Sequence, residues 1–397
     1  MRETHEHWKE KRVDHEKQVM LEEIRLQPEF LRSNGKPILD NLAAELKKRD
    51  IGRIRNIFII GCGDSYFSAL ANRMSLMEMT GLYVEPMESL EFSRYVVNHM
   101  PEGSAVIGVS NSGTVSRTIE GVSRARQKGA LTFAITTKAT TPLAQAVDIP
   151  LIVNSPPNIK ERPGQPPVVT PGSVTYIASL LGVYCVGLAF GLKLGALTAA
   201  QADARLEELS RVADSLAATI DAVEPLARDY AKKLSADKRI IILGGGPNYA
   251  TAFFGMAKFF ESLRQPASAV EMEEWAHEEF FVSDESAVEF VIVPPGESRE
   301  RAFEQMRAAR EMRAFVVAIG SDSDKELAAA ADLVFPVKGQ VRELLTPFVY
   351  CVPFELFACY LSDARKRAFL GFDDPHRREV NFRQIFNSQS RPLEGKK

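Results

Sequence analysis

The fold class is decided by the stretch Asn56-Ile57-Phe58-Ile59-Ile60-Gly61-Cys62-Gly63-Asp64-Ser65. Its first half is a short apolar run closed by glycine, which is typical of a parallel strand buried on both faces of a sheet. The segment that follows, residues 66–79, has the composition of a helix. A strand that enters a helix through a glycine-containing turn is the repeating unit of an α/β protein.

Apolar runs of the same kind recur on both sides of a long helical stretch. That stretch, residues 198–235, is rich in Ala, Leu, Glu and Arg, with apolar residues at helical spacing. The alternation of strand and helix therefore occurs twice, and we expect two related α/β halves. A proline-rich segment, residues 155–171, predicts a surface loop or flap. The expected strands lie at residues 56–61, 82–85, 105–109, 131–135 and 149–153, and then at 239–246, 288–293, 315–319 and 333–335.

The charge balance excludes several classes of partner. The 397 residues carry 49 Lys and Arg against 52 Asp and Glu, so no basic field exists to hold a nucleic-acid backbone or an anionic membrane. We expect a small molecule as the partner, with no nucleic acid and no membrane. The polar start of the chain lacks the apolar run of a signal peptide. Residues 177–192, the most apolar stretch, are too short to span a bilayer and predict a buried helix.

The cysteines predict a reduced, cytoplasmic protein. They are dispersed, without the paired spacing of a zinc site or the density of a disulfide framework. The histidines near the start of the chain also lack the spacing of metal ligands, so no metal site is predicted. The four cysteines are Cys62, Cys185, Cys351 and Cys359.

Two polar turns predict a ligand site at the carboxyl edge of the first sheet. In the turn at residues 61–65, glycines let the backbone approach a ligand, and the helix start favours an anion. The turn at residues 110–114 also follows a buried strand. Parallel strands end at one edge, where ligands of open α/β sheets bind, and short polar donors suit a polyol or a phosphate. The candidate binding residues here are Gly63, Asp64, Ser65, Ser110, Asn111 and Ser112.

These turns resemble those of the double sugar-isomerase (SIS) domain family. Residues 20–28 and 90–92 are similar to further segments of that family, and the resemblance extends from about residue 20 to about residue 387. Members include the isomerase half of glucosamine-6-phosphate synthase, fructosamine-6-phosphate deglycases and other phosphosugar isomerases. The resemblance implies two three-layer αβα SIS domains, each with a mainly five-stranded parallel sheet. The expected division is an N-terminal helical segment (1–50), SIS domain 1 (51–195), a helical connector (196–236), SIS domain 2 (237–364) and an irregular C-terminal tail (365–397).

The resemblance also implies the catalytic residues. The family carries a helical glutamate and, sixteen residues later, a histidine, and Glu261 and His277 have that spacing. By this resemblance Glu261 is the proton-transfer base, and His277 assists ring opening, acting across a homodimer with shared active sites. A carboxylate moves a proton between adjacent carbons, and an imidazole protonates a ring oxygen near neutral pH, so no cofactor and no metal is implied. Further candidates are Ser116, Ser173 and Lys258 for substrate binding, and Arg378 and Arg383 in the tail.

Three departures from the family pattern concern the substrate. Asp64 stands where relatives have Thr or Gly, and its charge would repel a phosphate. Val115 replaces the last hydroxyl of the second turn, where Ser116 or Arg117 is a possible substitute. Val174 replaces a lysine of the family. A phosphate anchored in the first half is therefore in doubt.

Three functions remain open from the sequence. The leading hypothesis is a deglycase, which cleaves a fructosamine, phosphorylated or not, to a sugar and an amine by proton transfer and imine hydrolysis. The first alternative is an aldose-ketose isomerase that acts on a phosphosugar, an amino sugar or another acidic sugar. The second alternative is a non-catalytic sugar-sensing protein. Glucosamine synthesis is not expected, because the chain has no glutaminase domain before residue 51 and no N-terminal cysteine.

Overall fold

The structure, a computed structural model, describes residues 2–153 and 168–389, without the side chains of residues 2–10. It contains two compact units, which we name by their sheets. The sheet-A unit comprises residues 29–156, 174–210 and 375–397, and the sheet-B unit comprises residues 1–28, 157–173 and 211–374. Most of the proline-rich segment expected at residues 155–171 lies outside the described residues.

Sheet A has five parallel strands in the order β2-β1-β3-β4-β5. The chain passes from β1 to β2 on one side and then returns to β3 on the other side of β1. The point between β1 and β3 is therefore a topological switch point, where ligands of such sheets bind. The strands are β1 (Asn56–Gly61), β2 (Tyr83–Glu88), β3 (Ser104–Val109), β4 (Leu131–Thr136) and β5 (Ile149–Ile152).

Sheet B repeats this plan with the order β10-β9-β8-β6-β7, again with every pair parallel. The expected fold class, two α/β domains with five-stranded parallel sheets, is confirmed. One strand, β7, was not expected from the sequence, because it is short, only partly buried and rich in alanine and serine. The strands are β6 (Arg239–Gly244), β7 (Ala267–Glu271), β8 (Ala287–Val293), β9 (Phe315–Ser321) and β10 (Leu333–Val337).

Helices flank both sheets, and the predicted N-terminal and connecting helices form as single long elements. The C-terminal tail, expected to be irregular, contains one helix, α14, none of whose residues is buried. The helices are α1 (Arg2–Lys47), α2 (Asp64–Thr80), α3 (Ser89–Arg94), α4 (Ser116–Gln127), α5 (Pro142–Gln145), α6 (Val174–Leu194), α7 (Ala199–Ala231), α8 (Asn248–Leu263), α9 (Glu274–His277), α10 (Arg299–Glu311), α11 (Leu327–Ala330), α12 (Pro347–Tyr350), α13 (Val352–Ala364) and α14 (Pro375–Phe386). Short 3₁₀ helices lie at Val96–Asn98, Glu279–Val282, Glu343–Leu345 and Phe369–Gly371.

Helix α6 is the apolar helix of the sheet-A unit. Among the described residues it is the one helix long and apolar enough to cross a membrane, but 83% of its most apolar window is buried inside the protein. Its small residues allow close packing, since a Cβ at Gly191 would lie 2.5 Å from the backbone oxygen of Met79 at the end of α2. The sequence prediction of a buried helix is therefore confirmed.

Replacing Gly191 by alanine is expected to lower the free energy of unfolding by roughly 1–3 kcal/mol, because the Met79 carbonyl is backbone and cannot rotate away. This steric cost exceeds the gain of about 1 kcal/mol that alanine brings to a helix. Urea unfolding measures the change. The matched control is Lys193→Ala on the exposed face of the same turn, which should change stability by less than about 0.5 kcal/mol. A Gly191→Ala protein as stable as the wild type would contradict this packing.

Candidate functional site

The first predicted turn joins β1 to α2 at the switch point of sheet A. Gly63 precedes the helix with φ of 55°, a conformation that favours glycine, and no side chain caps the helix start there. Asp64 is the first residue of α2, and its carboxylate lies where the helix dipole favours negative charge. Ser65 follows, and both side chains are half-buried. The turn therefore presents polar groups at the expected edge of the sheet.

The second predicted turn follows β3, which is paired directly with β1. Ser110 is buried, and its hydroxyl accepts a hydrogen bond from the Gly113 N–H at 3.1 Å. The hydroxyl of exposed Ser112 accepts hydrogen bonds from the N–H and the hydroxyl of Thr114, at 3.3 and 2.9 Å. Because β1 and β3 are adjacent and parallel, both turns lie at the same edge of sheet A, as the sequence predicted.

Threonines that the sequence analysis did not select hold the second turn in place. The carbonyl oxygen of Asn111 accepts hydrogen bonds from the hydroxyls of Thr136 and Thr137, at 3.3 and 3.0 Å. Gly113 has φ of 64°, and a Cβ there would lie 2.6 Å from the Thr136 hydroxyl. Thr141 lies against the same glycine. These contacts join residues distant in sequence, so only the fold reveals them.

The start of α4 binds the C-terminal tail within the sheet-A unit. Ser116 donates its hydroxyl hydrogen to the carbonyl oxygen of Phe386 at 2.7 Å. Arg117 donates to the hydroxyl of Ser388 and to the carbonyl oxygen of Gln389. Both side chains, which were candidates to replace the missing hydroxyl of the second turn, are therefore engaged by the tail in this structure. A cavity of about 820 Å³ lies beside them, lined by residues of α4 and by Thr114, Pro142, Phe386 and Asn387.

The two tail candidates lie on the exposed helix α14. The guanidinium of Arg378 lies over the ring of Phe382 at 5.5 Å from its centroid. Arg383 forms an ion pair with Glu379 at 3.6 Å, and both partners are more than 60% exposed. These contacts lie within one helix, and substrate binding by either arginine stays a prediction.

Helix α8 of the sheet-B unit places Glu261 beside a buried lysine. Lys258 is fully buried, and its ammonium lies 2.7 Å from Glu261 Oε2. The same ammonium donates to the carbonyl oxygen of Gly172 at 3.0 Å and lies over the ring of Phe254. The Glu261 side chain is 31% exposed. A carboxylate that is held by a buried cation and still reaches solvent is suited to accept and return a proton. Lys258, a candidate for substrate binding, thus pairs with Glu261 in this structure.

The segment at residues 20–28, which carries part of the family resemblance, is buried within the sheet-B unit. Glu23 accepts hydrogen bonds from the hydroxyls of Thr170 and Ser173, at 2.5 and 3.3 Å. Gln27 donates to Glu355 at 2.6 Å. Ser173, a candidate for substrate binding, is 1% exposed. Its hydroxyl therefore serves in this structure to hold the chain after the proline-rich segment against α1.

His277 lies at the end of α9 with its side chain 68% exposed. Its Nε2 is 3.7 Å from Glu273 Oε1, and Glu273 is also bound by Arg301 through two hydrogen bonds. Within the described part of the chain, Glu261 pairs with Lys258, and His277 pairs with Glu273, rather than with each other. The two predicted catalytic groups belong to the same unit, and His277 faces solvent.

A buried carboxyl group supports the segment that carries His277. Glu289, in the middle of β8, is fully buried, and the hydroxyl of Ser283 donates to it at 2.5 Å. Burial raises the pKa of Glu289 to about 7, partly offset by the hydrogen bond from Ser283. Buried Trp275 anchors the other end of the segment and packs edge-on against Phe280. The sequence analysis missed Glu289 because it lies within an apolar strand.

The described residues contain no group of three or more His, Cys, Asp or Glu side chains placed to hold a metal ion. The described cysteines are free thiols.

A family model places the chain among known proteins. The SIS domain model matches residues 51–179 and again residues 233–362. The chain belongs to the SIS domain family. The two matches cover β1–β5 and β6–β10, so each SIS domain supplies one of the two sheets. The resemblance stated from the turns of sheet A is thereby confirmed.

Relatives of this SIS protein include sugar-phosphate enzymes. It is 26% identical over 372 residues to the glutamine–fructose-6-phosphate aminotransferase (isomerizing) of Thermotoga maritima, covering 91% of this chain and 59% of that protein. It is similar in fold to the C-terminal domain of glucosamine-fructose-6-phosphate aminotransferase from Francisella tularensis, with a TM-score of 0.74, 18% identity and coverage of 88% and 97% of the two chains. A protein of Clostridium novyi NT described as a tagatose-6-phosphate ketose/aldose isomerase gives a TM-score of 0.73, 17% identity and coverage of 92% and 93%. The chain spans little more than half the length of the first of these relatives.

Replacing Glu289 by glutamine is expected to change how stability depends on pH. Because burial raises the pKa of Glu289 from 4.5 to about 7, the contribution of this group to wild-type stability is fully present below pH 4.5 and is lost as the pH rises through 7. This loss of stability is at most roughly 3 kcal/mol. Glutamine does not titrate, so the variant should become more stable relative to the wild type as the pH rises over this range. Urea unfolding at several pH values measures it.

The control for this experiment is Glu285→Gln, which removes an exposed carboxylate of the same unit. Its stability relative to the wild type should vary little between pH 5 and pH 8. A pH-independent difference between Glu289→Gln and the wild type would show that Glu289 is not protonated in the folded protein at mildly acidic pH.

Proposed function

We propose that this SIS protein is an aldose-ketose isomerase of the phosphosugar isomerase kind, with Glu261 as the proton-transfer base. The observation that carries the proposal is the Lys258–Glu261 ion pair, which holds a partly exposed carboxylate in a fixed place. The C. novyi relative described as a ketose/aldose isomerase supports the same reaction type. A non-catalytic sensor has no need of such a carboxylate, so we favour catalysis over the sensing hypothesis.

The proposed reaction moves one proton between two carbons of an open-chain sugar. Glu261 removes the proton from C2 of the aldose, the electron pair forms the C1–C2 double bond, and the C1 carbonyl oxygen takes up a proton, which gives an enediol. The carboxyl group then returns the proton to C1 while the C2 hydroxyl gives up its proton and becomes the carbonyl group, which yields the ketose and restores Glu261. Lys258 keeps the carboxylate oriented during both transfers, because its own charge is fully buried beside it.

The turns of sheet A supply the hydroxyl-binding groups in this proposal. Ser65, Ser112 and Thr114 offer short polar side chains at one sheet edge, and Asn111 is fixed there by threonines. Asp64 adds a carboxylate at the start of α2. A carboxylate accepts hydrogen bonds from vicinal hydroxyls but repels a phosphate, so we propose that Asp64 binds a sugar hydroxyl.

The second candidate function is the deglycase reaction, in which the same base acts on a fructosamine. Proton transfer gives an imine, and water then cleaves the imine to a sugar and an amine. Carboxylates around His277 favour this candidate, because they suit a substrate with a cationic amine. Burial, together with the charges of Glu278 and Glu274, raises the pKa of Glu279 in this cluster.

Replacing Glu261 by glutamine is expected to lower kcat at least 1,000-fold, because the amide cannot accept the proton. Sugar binding should change little, since glutamine keeps the size and the hydrogen-bonding oxygen of glutamate. Turnover is measured by the interconversion of aldose and ketose phosphates. The control Glu274→Gln removes a carboxylate of the His277 segment and should keep most of the activity. A fully active Glu261→Gln enzyme would eliminate the proposed base.

One assay separates the two candidate reactions. The wild type is incubated with aldose and ketose phosphates and, separately, with phosphorylated and unphosphorylated fructosamines, and both sugar interconversion and free amine are scored. Interconversion without amine release supports the isomerase. Amine release that depends on Glu261 supports the deglycase and rejects the isomerase.

We also propose that the protein is a cytoplasmic homodimer in which His277 acts on the substrate bound to the partner subunit. The exposure of His277, and its pairing with Glu273 while Glu261 pairs with Lys258, support this proposal. The free thiols of the described cysteines support a reducing compartment.

Mixing two inactive variants tests the shared site. Glu261→Gln and His277→Asn proteins are each expected to be inactive, but after mixing and subunit exchange a mixed dimer has one intact site. Activity should return to roughly a quarter of the wild-type level, because half of the dimers are mixed and each has one of two sites. Mixed samples that remain inactive, although light scattering shows subunit exchange, would contradict catalysis across the dimer.

A further inference from the structure

A polar cavity lies within the sheet-B unit, apart from the residues assigned to proton transfer. It lies beside the carboxyl ends of β8, β9 and β10 and has a volume of about 720 Å³. Cavities of this size hold small molecules. Its polar lining consists of Arg299, Ser321, Ser323, Asp324, Gln340, Arg342, Glu343 and Tyr350.

The carboxylate of Glu343 fills the space beside the glycines at the switch point of sheet B. A Cβ at Gly296 would lie 2.5 Å from Glu343 Oε1, and the N–H of Glu297 donates to Oε2 at 3.3 Å. Gly246, before α8, lies close to the same carboxylate. An external anion would therefore compete with a carboxylate of the chain itself at this point, and the open volume lies beside it.

A second carboxylate of the cavity, Asp324, is held in a fixed orientation. Arg299 donates two hydrogen bonds to it, at 2.8 and 2.9 Å, and also contacts Glu326 at 3.3 Å. The guanidinium lies over the ring of Phe303 at 4.5 Å. Because two carboxylates already neutralise Arg299, little of its charge is left for a phosphate. The geometry leaves Asp324 oriented as an acceptor at the cavity wall.

Hydroxyl groups complete the lining. Ser321 and Ser323 are hydrogen-bonded to each other at 2.8 Å on the loop after β9. Tyr350 is buried, and burial, together with Asp324 and Glu343, raises the pKa of its phenol. The phenol therefore stays protonated. The lining therefore combines hydroxyls that donate and accept hydrogen bonds with two carboxylates, whose charges are matched by those of two arginines.

We propose that this cavity is a second ligand site that binds a neutral polyhydroxyl compound, such as an unphosphorylated sugar or polyol. Asp324 and Glu343 would accept hydrogen bonds from vicinal hydroxyls, while Ser323 and Gln340 contact others. The two arginines and the two carboxylates in the lining balance each other, which favours a neutral ligand over a phosphorylated one. The site is independent of the proposed proton transfer by Glu261.

Hydrogen exchange measured by mass spectrometry on the full chain tests this site. Sorbitol and fructose are the probes, and fructose 6-phosphate is the charged comparison. We expect both neutral probes to slow exchange in peptides that cover residues 321–325 and 339–343, with saturation, and fructose 6-phosphate to bind there at least tenfold more weakly. The Glu261→Gln protein should show the same slowing of exchange as the wild type. Binding at this cavity would then be independent of the proposed proton transfer, and the failure of one proposal would leave the other standing.

Two variants with a matched control locate the effect. Ser323→Leu is expected to weaken the protection at least tenfold, because it removes a hydroxyl and fills the cavity, and Gln340→Leu should act in the same direction. Both side chains are exposed, so unchanged melting temperatures are expected. Lys325→Leu places the same leucine on the same loop outside the lining and should bind as the wild type does. The proposal is overturned if neither neutral probe protects, if the phosphate binds as well, or if Lys325→Leu loses binding equally.

Discussion

Close approach between a strand and the helix that follows it is the constraint on which both domains depend. At the end of β1, a Cβ on Gly61 would lie 2.7 Å from the backbone of Ser65 and Tyr66. At the end of β6, a Cβ on Gly244 would lie 2.7 Å from the backbone carbon of Asn248. Each sheet therefore needs glycine at the end of the strand where its helix begins. This tight turn brings the helix start to the carboxyl edge, where the polar groups of each domain collect.

The two edges built on this plan carry different chemistry. Sheet A ends in hydroxyls and amides, fixed by threonines of neighbouring loops, with Asp64 at the start of α2. In sheet B the corresponding space is filled by Glu343, so its cavity lies towards β9 and β10. The duplicated fold thus presents two polar edges with different side chains, because the backbone sets the position of each edge and a few side chains set its charge.

Buried ionisable groups lie beside the residues that we propose for chemistry. Lys258 has no exposure to water, and its charge is stabilised by Glu261, the Gly172 carbonyl oxygen and the Phe254 ring. Loss of Glu261 would leave the buried charge of Lys258 without its counterion, which is costly. Glu289 is a second such group, and it lies beneath the segment that carries His277. The residues proposed for chemistry are therefore supported by polar contacts that a sequence pattern does not reveal.

The sequence by itself determined the α/β class, nine of the strands, the long helices and the two turns of sheet A, because glycines and apolar periodicity report local geometry directly. It did not reveal β7, whose small residues lie at a sheet edge, or the helix in the tail. It also proposed Lys258 and Ser173 for substrate binding, but it did not reveal that both are buried, with Glu261 and Glu23 as their partners. Only the fold decided these partners, since burial and hydrogen bonding between residues far apart in the chain depend on packing rather than on local pattern.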